Sequence, residues 1–157
     1  MVPKQEVKRT MTAKQYLEKV HYLRKRCDSI DRRLRFLRAR AEGMRGISYD
    51  RDRVQTSPHN QLEAAVVDMV AIETKYAALL AEYTEAVAIR AKQITSMDDA
   101  RYAEILWLRY IETTDHGRPM TLDDIADEMG YSVSHVTRLH GAALQAFARE
   151  YGKDDRF

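Results

Sequence analysis

Between Tyr16 and Met44 apolar or small residues stand at Tyr16, Val20, Leu23, Cys27, Ile30, Leu34, Leu37, Ala41 and Met44. The steps alternate four and three, which is a heptad seam. Lys, Arg, Glu and Asp fill most positions between, as a solvated outer face requires. With Thr12 as N-cap, the spacing predicts one long helix from about 12 to 44. A glycine-bearing break follows, "GMRGISYDRDRVQTSPHN". Ser57 and Pro58 then read as an N-cap and a first helical residue, and Asn60 with Glu63 three residues later is an alternative cap. From about 59 to 95 the same spacing returns at Ala65, Met69, Ile72, Tyr76, Leu79, Tyr83 and Ala86, and Val66, Leu80 and Val87 widen the stripe. Two long helices with one connection predict an antiparallel hairpin. The widened stripe asks for a further partner, either the C-terminal segment or a second subunit, and a homodimer is expected.

The pattern then shortens. "TSMDDARY" opens a third helix, with Asp98 or Ser96 as its cap, and "TTDHGRP" closes it with turn residues. Trp107 lies in this helix and reads as a packing residue. In "MTLDDIADEMGYSVSHVTRLHGAALQAF", Thr121 caps a short helix whose apolar face is Leu122, Ile125, Ala126 and Met129. Gly130 supplies the turn, Ser132 caps the next helix, and Val136, Leu139, Ala143 and Phe147 line its inner face. A small residue four before the turn glycine, with branched residues six and nine after it, is the spacing of a helix-turn-helix.

The chain is therefore expected to be all-α, a long coiled-coil-like antiparallel hairpin followed by a small helical domain with a helix-turn-helix. The expected boundaries are a flexible N-terminus over 1–11, the hairpin over 12–95 with its connection at about 45–58, the helix-turn-helix domain over 96–150, and a flexible C-terminus over 151–157.

Composition supports this reading and removes others. Three prolines and six glycines in 157 residues favour long helices. One cysteine, Cys27, excludes an internal disulfide and suits a reducing cytoplasm. No apolar run has the roughly eighteen residues of a membrane span, so no membrane association is expected. The net charge of +2 conceals a polarity: residues 1–60 hold 16 Lys/Arg against 7 Asp/Glu, residues 61–100 hold 3 against 7, and residues 101–157 hold 7 against 10. A basic first third fits a polyanion or an acidic partner, or simply a solvated helix face.

The outer face of the last helix carries Ser134, His135, Thr137, Arg138 and Gly141, and no acid occurs from Tyr131 to Arg149. Arg138 can donate two bonds to a guanine, and Ser or Thr can meet any base edge. These five are the candidate base-reading residues. Thr121, Tyr131 and Ser132 stand where phosphates would be met. Arg45, Arg51 and Arg53 in the connection are candidate auxiliary contacts to DNA or a partner. A metal site does not fit: His135 and His140, five apart, are separated by about 140° of helical rotation. Neither Ser132 nor Ser134 has a glycine-flanked hydrolase elbow, and no metal-binding or phosphate-loop motif occurs. No catalytic residue, metal or cofactor is expected, and the protein is read as a non-enzyme.

"ARYAEILWLRYIE" with "MTLDDIADEMGYSVSHVTRLHGAAL" resembles region four of bacterial sigma factors. The matching positions are Leu108, Arg109, Tyr110, Thr121, Leu122, Ile125, Ala126, Gly130, Ser132, Val136, Ala143 and Leu144. Nearly the whole chain is similar to a phage and prophage family with this same ending, an early "T-A-K-x-Y-L" (Thr12 to Leu17) and a central "D-R-V-Q-T-S-P" (Asp52 to Pro58). ArpU/RinA-type phage late-gene activators are more distant relatives in plan. The resemblance implies a regulator that binds double-stranded promoter DNA and contacts RNA polymerase. It departs from the sigma pattern in its reading helix, where Arg138 is the one strong reader. Two rival functions stay open: a DNA-packaging oligomer similar to a small terminase subunit, and a protein-interaction module without DNA binding.

Overall fold

A computed structural model describes residues 11–46 and 58–152. The described residues form five helices: α1 (Ala13–Gly46), α2 (Pro58–Thr95), α3 (Ala100–Tyr110), α4 (Leu122–Met129) and α5 (Val133–Tyr151). Among them the sole β pairing is an isolated antiparallel bridge, Thr113 to Pro119, in the α3–α4 loop. The protein is all-α, with two long helices before a small helical domain. The N-terminal residues 1–10, the connection with Arg51 and Arg53, and residues 153–157 lie outside the described residues, as does the side chain of Arg45.

By contact the chain divides into two compact units: residues 1–21 with 86–157, and residues 22–85. The division falls inside α1 and α2, whereas the heptad pattern placed it after residue 95. The seam runs on unchanged in sequence while the residues that cover it change.

In the unit of residues 22–85, Leu23, Cys27, Leu34 and Ala41 of α1 are buried, with Leu79 of α2. Arg38 donates to Glu73 at 2.6 Å, and the Cys27 thiol is pushed up by burial and, less, by Asp28 and Glu82. Position 27 lies near 82 and position 38 near 73, so the two stretches run antiparallel.

The other unit has one core. Leu17 at the start of α1, Ile94 at the end of α2, Ile105 and Leu106 of α3, Ile125 of α4, and Val136 and Phe147 of α5 all lose their contact with solvent. Each such side chain contributes roughly 1.5–3 kcal/mol. Thr12 opens α1 through a reciprocal pair: its hydroxyl accepts from the Gln15 N–H at 3.2 Å, and Gln15 Oε1 accepts from the Thr12 N–H at 3.0 Å. Asp99, and not Asp98 or Ser96, caps α3. Its carboxylate accepts from the Arg101 N–H at 2.9 Å, with an extended backbone at φ −87°, ψ 108°. Arg90 is buried in this unit. Its guanidinium donates to the carbonyls of Tyr16 at 2.9 Å and Ala86 at 3.1 Å and stacks 4.0 Å from the Tyr16 ring centroid. α5 continues to Tyr151, whose ring packs 4.9 Å from that of Phe147.

Candidate nucleic-acid interface

The helix-turn-helix is built from three local devices. Thr121 caps α4: its hydroxyl accepts from the Asp124 N–H at 3.2 Å and donates to Asp124 Oδ2 at 2.8 Å, while the Thr121 N–H donates to the same oxygen at 2.7 Å. Arg118 adds two bonds to that carboxylate, at 2.9 and 3.1 Å. These donors, Arg118 first, hold the Asp124 carboxyl at about 2. Gly130 then turns the chain with φ 68°, ψ 31°. A Cβ there would meet nothing within 4 Å, so the glycine answers to conformation and not to space. The N–H groups of Gly130 and Tyr131 both reach the Ala126 carbonyl. Finally, Ser132 caps α5, its Oγ accepting from the His135 N–H at 3.3 Å.

Packing fixes which side of α5 faces out. Val136, Leu139, Ala143 and Phe147 are buried. Ser134, Thr137 and Arg138 are exposed on the opposite side, and His135 and Gly141 are half-buried beside them. Gln145 is also exposed and, four residues beyond Gly141, continues the line of Ser134, Arg138 and Gly141. Gln145 is not among the five candidate readers, and the signal for it in the sequence is the 3.6-residue period carried one turn past Gly141. The Thr137 hydroxyl donates to the Val133 carbonyl at 2.8 Å, which leaves its oxygen to accept and its methyl to pack. Among the three residues proposed to meet phosphates, Tyr131 and Ser132 are exposed at the start of α5. The Thr121 hydroxyl is taken up by its bonds with Asp124.

The two histidines of the last helix part company. His135 meets the edge of the Tyr131 ring at 4.8 Å, near the exposed face. His140 points inward, 3.1 Å from the Tyr110 hydroxyl, with the two rings stacked. Burial, then the charges of Arg109 and Lys14, push the His140 imidazole down to about 4. Burial likewise lifts Tyr110 to about 12.

The "LRY" at the end of α3 acquires three jobs. Leu108 is core. Arg109 donates to the Met120 carbonyl at 2.6 Å, while its own carbonyl accepts from His21 Nε2 at 2.9 Å. Tyr110 holds His140. These contacts join residues 11 to 88 positions apart and could not be read from spacing alone.

Electrostatically the surface is mixed. Arg138 and Arg149 are exposed on α5, and no carboxylate side chain lies between 131 and 149. Asp123, Asp127 and Glu128 are exposed on α4. Arg101 and Arg118 are paired with Asp99 and Asp124. Positive charge for neutralising phosphates is therefore thin on this module.

Residues 99–147 match the family model of sigma-70, region 4. The match starts at the cap of α3 and ends at Phe147, so it takes in the whole helix-turn-helix but under a third of the chain. No curated protein and no solved structure matches. Sigma-70 region 4 is a DNA-binding helix-turn-helix module, and residues 99–147 are a domain of that kind.

Proposed function

We propose that this protein is a transcription regulator of phage or prophage type, which lays α5 in the major groove of promoter duplex and acts by binding. The observation that carries the reading is the exposed stripe Ser134, Thr137 and Arg138 on the second helix of a sigma region 4 domain, free of carboxylates along its length. In such motifs the first part of the second helix meets base edges. Arg138 is then the residue that pairs with a guanine through O6 and N7, and Ser134 and Thr137 take the neighbouring bases. Tyr131 and Ser132, at the α5 N-terminus, position the helix on a phosphate, where the helix dipole favours negative charge.

The sparse positive charge supports a division of labour. A module with few phosphate contacts binds duplex weakly and with a shallow salt dependence. We infer that RNA polymerase supplies the remaining affinity.

The test is selection from a randomised duplex pool at low salt. One sequence should be enriched, and Arg138→Ala should cost about 1–3 kcal/mol at a single base position. No enrichment of any sequence would overturn the reading.

A further inference from the structure

Residues 22–85 carry surface that their own pairing does not cover. Tyr22, Phe36, Val66, Val67, Val70 and Leu80 are six of the nine large hydrophobics exposed among the described residues. All six belong to this one unit. On α2, Val66, Val70, Ala77 and Leu80 recur at helical spacing, beside the stripe of Met69, Ile72, Tyr76 and Leu79. Val67 and Val70 are 68% and 55% exposed, far more than a packed stripe allows.

The charges on the two helices have opposite sign. From 22 to 43, α1 has eight Lys/Arg against three Asp/Glu; from 63 to 85, α2 has one Lys against five Asp/Glu. On α1, Phe36 stands between Arg33 and Arg40, 65% exposed, at a groove of about 450 Å³ that Arg32 and Arg33 also border. One helix thus offers aromatics among cations, and the other offers aliphatics among acids.

We propose that a second copy of this chain covers both surfaces, with α1 of one copy on α2 of the other. Pairing α1 with α1 would set cations against cations, and α2 with α2 acids against acids; only the alternating arrangement matches charge as well as hydrophobicity. Arginine stems lie well on aliphatic surface while their heads reach carboxylates. Each helix segment is about 35 Å long and about 10 Å wide. Two such strips amount to about 700 Å² per copy, close to the roughly 800 Å² per partner of a standard stable interface. The proposal is independent of which duplex, if any, α5 reads.

The experiment is sedimentation of the full 18.2 kDa chain at tens of micromolar. Wild type should sediment as two or more chains. Val67→Glu with Val70→Glu changes only exposed positions; it should keep its helical circular dichroism and sediment as one chain, with association weakened at least tenfold. Arg32→Glu with Arg33→Glu, and separately Asp68→Lys with Glu85→Lys, should each give single chains, and mixing these two variants should restore the assembly. A wild-type monomer overturns the proposal, and with it would go the α2 face to another protein or the α1 arginines to nucleic acid. An assembly that survives the valine changes, or variants that fail to rescue each other, overturn it as well. Duplex binding is not read in this experiment, so its outcome leaves the reading of α5 untouched.

Discussion

The Arg109 guanidinium donates to the Met120 carbonyl at 2.6 Å, tying the end of α3 to the residue before the α4 cap. Met120 precedes Thr121, so this bond anchors the chain just where it enters the α4 cap. A charged donor on a carbonyl is worth about 1.5–3 kcal/mol. Arg109→Ala should destabilise the protein by about that amount in urea unfolding. It should also speed hydrogen exchange at the α4 amides more than at those of α2. Equal acceleration everywhere would show that the bond is not local to α4.

Gly130 tests the turn. At φ 68° a side chain costs about 1–2 kcal/mol, and no neighbouring atom lies within 4 Å of its Cβ position. Gly130→Ala should cost about 1 kcal/mol, Gly130→Asn less, and Gly130→Val more. A loss that tracks side-chain volume instead of left-handed propensity would contradict a purely conformational role.

Acid stability follows from two groups with separate windows. The folded state holds His140 at about 4, below its ordinary 6.5, chiefly through burial. As pH falls from 6.5 toward 4, the unfolded chain takes up a proton that the folded chain refuses, so stability drops across that interval. The imidazole is only partly shielded, and the loss is of order 1–2 kcal/mol once solvent screening is allowed for. His140→Gln should flatten that limb of the profile. Asp124 is held at about 2 by Arg118 and Thr121. Its contribution is present above 3.8 and disappears as pH falls through 2, so Asp124→Asn should lower stability throughout the range above 3.8 and flatten the profile below it. Urea midpoints between pH 8 and 2 separate the two.

Much of the frame was legible because one-dimensional spacing encodes burial. Tyr16, Val20, Leu23, Cys27, Leu34 and Ala41 are all buried, as a four-three alternation requires. Thr121, Gly130 and Ser132 act locally, within four residues, and local chemistry shows in a sequence. Other features depend on partners distant along the chain. Nothing near Arg90 in sequence announces that Tyr16 would receive it, and a buried arginine bonded to carbonyls breaks the rule that charges seek water. Arg109, His21 and His140 are of the same kind. Asp98 and Asp99 are equivalent as sequence; the turn geometry chooses Asp99. The widened stripe on α2 did ask for another partner, and Val66 and Leu80 remain exposed at 37% and 40%.

The most direct measurement is amide chemical-shift mapping of the full chain as duplex from the selected pool is added, at low salt. The expected result is shifts concentrated at Tyr131, Ser134, Thr137, Arg138 and Gln145, absent with a scrambled duplex and lost in Arg138→Ala. Shifts confined to residues 22–85, with the α5 amides unmoved, would contradict the assignment of α5 as the reading helix.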